Sequence, residues 1–74
     1  MSYGEAYAGI NAAWLIISHI DEFPDQVERL ALCYWARDHA SAEDAVGYGA
    51  SCDAVATGYS KAQVKSAVKL SVTF

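Results

Sequence analysis

Apolar residues return along the first segment at Tyr3, Tyr7, Ile10, Trp14 and Ile17, spacings of 4, 3, 4 and 3 that lay a wide stripe along one side of a helix. Ala6, Ala13 and Ile20 widen the stripe, and Ser2-Tyr3-Gly4-Glu5 ahead of it has capping-box spacing, in which serine and glutamate satisfy each other's orphan amides. The pattern predicts an amphipathic helix whose stripe forms an intramolecular core. Residues 3–20 also fit a short coiled-coil seam, the segment through which two copies would pair.

Asp21-Glu22-Phe23-Pro24-Asp25 breaks the periodicity, because proline pushes the residue before it out of the helical region and itself suits the first helical position. A second helix is predicted from about 24 to 39, with Asp25 and Glu28 in its first turn and Arg37 and His39 in its last, as the macrodipole favours. Its centre, Leu30 to Ala36, is apolar on every side, so this helix is central to the fold or covered by another chain. Beyond it the texture becomes short and alanine-rich. Ser41, Ser51 and Ser60 are expected N-caps and Gly47, Gly49 and Gly58 expected terminators, which predicts two short helices and a longer C-terminal one. Val64, Val68 and Val72 repeat as in a helix, whereas Val68, Leu70, Val72 and Phe74 alternate as in a strand. A lone strand has no partner in a helical chain, so helix is expected to about residue 70, with the end open between the two.

The fold class expected is all-α, one helical domain over residues 1–74 with an N-terminal helical hairpin at about 2–39. At 74 residues and 54% hydrophobic the chain has room for one small core, which excludes doubly wound sheets, barrels and two-domain clefts. Such a domain buries only about 60% of its unfolded surface and relies on a partner, a metal or a disulfide for further stability.

The net charge of −4 argues against a non-specific nucleic-acid coat or an anionic membrane surface, but it is unevenly distributed. Residues 1–53 carry all nine acids against Arg29 and Arg37, net −7, and residues 54–74 carry Lys61, Lys65 and Lys69 with no acid, net +3. The apolar stretch Ile10 to Ile20 is too short to span a bilayer and lacks the basic flank of a signal peptide, so a cytoplasmic protein without membrane contact is expected. Cys33 and Cys52 fit two reduced, buried thiols better than a secreted disulfide framework.

Catalytic and metal-binding patterns are thin. His19 and His39 stand beside no nucleophile, and His39 suits a helix-terminal cap. Cys33, His39, Cys52 and Asp53 match no tetrahedral zinc spacing, and Gly47-Tyr48-Gly49 lacks the residues of a phosphate loop. No enzyme activity, cofactor, metal or small-molecule substrate is expected.

From Ala50 to Lys69 the chain reads ASCDAVATGYSKAQVKSAVK. This resembles the twenty-residue helix-turn-helix unit of transcription regulators of the repressor type. The match lies in a small residue on the first helix (Ala54), a glycine for the left-handed turn (Gly58), a serine cap (Ser60) and aliphatic anchors (Val64 and Val68). Tyr59, where a buried aliphatic is usual, and Ala67, small for an anchor, depart from it. The resemblance implies a recognition helix at 61–69, with Lys61, Gln63, Lys65 and Ser66 toward the major groove or backbone and Lys69 reaching a phosphate. The order of FPDQVERLALCYWARDHAS, a short helix and a turn into a basic helix also looks like phage antitermination proteins of the Q type. Both likenesses imply a phage or mobile-element regulator of transcription that binds DNA.

A reading of a different class stands beside this one. A small acidic viral inhibitor or adaptor of a host protein complex, anti-CRISPR-like or RNA-polymerase-binding, would dock through Glu43 and Asp44 as a nucleic-acid mimic or a face for a basic groove. Trp35, Tyr48 and Tyr59, with Tyr34, would then be its aromatic anchors.

Overall fold

The computed structural model describes residues 3–73, and side chains from Gly9 to Val72. It is all-helical: α1 (Tyr3–Ser18), a 3-10 turn (Ile20–Glu22), α2 (Gln26–His39), α3 (Ala42–Ala56) and α4 (Lys61–Thr73). There is no strand among the described residues, and α4 carries the helix through Thr73, so the alternation over its last residues does not become a strand. No helix is long and apolar enough to cross a membrane among the described residues.

Local chemistry explains most boundaries. Phe23 is extended, as a residue before proline must be, and Asp25 caps α2 by accepting the Glu28 amide at 2.7 Å. The helix therefore starts at Gln26, and Pro24 precedes the cap instead of opening the helix. Ser41 caps α3 by accepting the Asp44 amide at 3.2 Å. Ser60 and Gln63 form a reciprocal capping box, with Gln63 N–H donating to Ser60 Oγ at 3.2 Å and Ser60 N–H to Gln63 Oε1 at 2.8 Å. Gly58 supplies the positive φ of +95° in the turn before it. The Ser2–Glu5 capping box lies outside the described side chains.

Two expectations are corrected. Gly47 and Gly49 lie inside α3, which runs unbroken from Ala42 to Ala56, and Ser51 is not a cap but donates back along the helix to the Gly47 carbonyl. The reason is the inner face of the helix. Ala45, Gly49, Cys52 and Ala56 recur at spacings of 4, 3 and 4 and are small enough for α3 to approach α2 closely, and the Arg37 stem lies 3.8 Å from where a Gly49 Cβ would stand. Tertiary packing overrides the glycine penalty.

Along α1 and the turn after it the predicted stripe faces inward at Ala13, Ile17 and Ile20, while Ile10 and Trp14 on its other edge are exposed. Ala13 is fully buried and Ile17 and Ile20 pack on the core, whereas Trp14 is 60% exposed and Leu15 50%. The helix is apolar on more sides than it can bury, and the small Ala13 is what permits close contact with α2.

Every extensive helix–helix contact includes α2: α1, α3 and α4 each pack on it. The core is Leu30, Ala31, Cys33 and Tyr34 of α2 with Cys52 and Ala67, closed by Ile17, Ile20, Val55, Tyr59 and Val64. The apolar run 30–36 thus marks the central helix, as its pattern predicts.

Candidate nucleic-acid interface

The capping box fixes where α4 begins and therefore which way its residues point. Val64, Ala67 and Ser71 form the inward side, with Ala67 fully buried and Ser71 3% exposed. Val68, expected as an anchor, is 37% exposed, and the small Ala67 takes its place because α4 lies close against α2.

Residues four apart on a helix drift by about 40°, so Lys61, Lys65 and Lys69 wind slowly across the opposite side, and all three are exposed. Ala62 and Ser66 lie exposed between them, small enough to let a surface come close. Among the described residues no carboxylate pairs with a lysine; the ion pairs are His19 with Glu22 and Arg37 with Asp38. The positive charge of this face is free.

Gln63 is placed differently from its expected role in reading a base. Its Oε1 accepts the Ser60 amide, so it holds the helix start. Ala54 is exposed, and α3 and α4 make no interface comparable to the one each makes with α2. The likeness to a helix-turn-helix unit therefore rests on the order of helix, glycine turn and capped helix, with α2 in the place of the direct contact. Comparison with known protein families, with characterised proteins and with solved structures finds no match.

The aromatic residues named as partner anchors are mostly committed to the fold. Tyr59 packs on the core, and its hydroxyl donates to the Gln26 carbonyl at 2.8 Å. Trp35 stacks on His39 with ring centroids 4.0 Å apart, and His39 Nδ1 donates to the Trp35 carbonyl at 2.9 Å. The Trp35 indole N–H is buried without a partner among the described residues. Tyr34 is buried under the Arg37 guanidinium, 4.8 Å from the ring centre. Tyr48 is half-buried, while Glu43 and Asp44 are exposed in the first turn of α3, three and two residues before Val46, which is 78% exposed.

Arg29 has a role the sequence does not announce. Its Nε and Nη2 donate to the Phe23 carbonyl at 3.1 and 2.8 Å, clamping the turn before α2. It also lines a cleft of about 410 Å³ with Asp21, Gln26, Val55, Thr57 and Tyr59. The one available signal was that Arg29 is a lone base in an acidic stretch. No group of three or more metal-ligating side chains gathers among the described residues.

Proposed function

We propose that the protein is a non-catalytic regulator that docks on duplex DNA through the outer face of α4, with Lys61, Lys65 and Lys69 on the phosphates and Ser66 against the groove. What carries this reading is the unpaired lysine face, exposed on a rigidly capped helix and set apart from every acid of the chain along the sequence. The exposed Ile10, Trp14 and Leu15 of α1 give a second copy a surface to meet, which would double the phosphate contacts.

The test is fluorescence anisotropy with a mixed-sequence duplex across a salt series. Three phosphate contacts per protomer give a slope of log K against log salt of about −2.7, so affinity falls roughly a hundredfold from about 25 to 150 mM salt. Lys61→Glu with Lys65→Glu abolishes the signal. No binding at the lowest salt refutes the reading.

The acidic-adaptor reading is favoured by one observation, the exposed and unpaired Glu43 and Asp44 beside exposed Val46. It is the correct one if Glu43→Lys with Asp44→Lys destroys function while the double lysine variant retains it.

A further inference from the structure

We propose that Cys33 and Cys52 are a reversible dithiol–disulfide site that fastens α3 to α2 under oxidising conditions. The two thiols come from different helices, and both are fully buried in one cluster at the α2–α3 interface. Both belong to the core cluster formed where α3 packs on α2, and each thiol shifts the other's hold on its proton.

The surrounding sequence makes this contact possible. Ala45, Gly49 and Ala56 flank Cys52 on the inner face of α3, and Ala36 and Arg37 follow Cys33 on α2. The alanines and glycine of this interface favour the close helix approach that an S–S bond needs, with opposed Cβ atoms about 3.5–4.5 Å apart.

The pair is also chemically asymmetric. Hydrogen bonding to Cys52 and burial push the Cys33 thiol up, while the same hydrogen bond, with the Arg37 cation near, draws Cys52 down despite its burial. In the proposed exchange Cys52 attacks and Cys33 resolves. With a small-molecule disulfide such as oxidised glutathione as oxidant, Cys52 sulfur bonds to one glutathione sulfur and releases the other as thiol. Cys33, losing its proton, then attacks Cys52 sulfur and expels the second glutathione thiol. The protein gives up two electrons and two protons, and one disulfide is reduced to two thiols.

Burial sets the rate. Neither sulfur is reachable in the closed fold, so exchange proceeds through local opening of α3, which holds one fully buried side chain, Cys52 itself. The bond then closes a loop of eighteen intervening residues and removes that freedom from the unfolded chain.

The experiment incubates the reduced full-length chain with oxidised glutathione and reads intact mass, alkylation under denaturing conditions and peptide linkage after trypsin. The expected product is a monomer about 2 Da lighter that takes up no iodoacetamide and joins peptide 30–37 to peptide 38–61. Dithiothreitol restores the starting mass, and the oxidised form melts higher by on the order of 10 °C. Stable glutathione adducts, intermolecular dimers, or failure of the folded chain to oxidise while the urea-unfolded chain does so readily each overturn the proposal. Cys33→Ser and Cys52→Ser, which keep one thiol each, must never give the lighter monomer.

Discussion

The same substitution made at two glycines should move stability in opposite directions. Gly47 lies in the middle of α3, and a Cβ added there meets nothing within 4 Å. Alanine at this position therefore changes only backbone entropy and propensity, a gain of about 1 kcal/mol. Gly58 also has open space around its Cβ position, but its φ is +95°, where an L side chain is strained. Alanine there costs about 1–2 kcal/mol through the backbone alone, since no packed neighbour has to move. For a domain of this size each kcal/mol shifts Tm by about 4–8 °C. Gly47→Ala should thus raise Tm by about 4–8 °C and Gly58→Ala lower it by about 4–16 °C, followed by circular dichroism at 222 nm in thermal and urea unfolding. A destabilised Gly47→Ala would mean that this glycine ends a helix and that α3 is two pieces. A neutral Gly58→Ala would mean that the turn before α4 is not left-handed.

Other substitutions test the packing and the electrostatics. Leu30→Ala empties the largest fully buried site and should cost about 3–5 kcal/mol, a large share of the roughly 4–11 kcal/mol a chain of this length possesses, so urea titration should find it partly unfolded at 25 °C. Tyr59→Phe deletes the hydrogen bond that ties the start of α4 to the start of α2 and should lower stability by about 1 kcal/mol, read as a reduced urea midpoint with unchanged slope. Tyr34 holds its proton more tightly folded than unfolded, chiefly through burial. The unfolded chain therefore releases this proton first, and stability should be intact below the usual tyrosine value of 10.0 and decline as pH rises above it, an effect that Tyr34→Phe reduces.

Long periodic segments and caps were legible in the sequence, and the choice of inner face was not. Ser41 and Ser60 cap because their oxygens meet amides three residues on, a purely local requirement, and the left-handed Gly58 is equally local. Gly47 and Gly49 carried the same local signal with the opposite outcome: Gly49 faces the Arg37 stem on α2, where a narrow α3 packs, and Gly47 is carried along on the exposed side of the same helix. Trp14 and Ala13 are neighbours on a helix that is apolar nearly all round, so periodicity alone does not decide which turns inward. At the lysine face, exposure followed from spacing, but Gln63 answered two patterns at once, base reader and capping-box partner, and the structure gives its oxygen to the second.

Because α1, α3 and α4 each meet α2 far more than one another, their contributions are close to thermodynamically independent. A substitution on the outer side of α1 and one on α4 should give free-energy changes that sum within about 0.5 kcal/mol, while pairs that include an α2 core residue should show clear non-additivity. The same geometry constrains communication. A change at Cys52 on α3 reaches the lysine face on α4 through the shared core on α2 and through the turn at 57–60, so a double-mutant cycle between those two sites measures how firmly α2 and that turn hold α3 and α4 together.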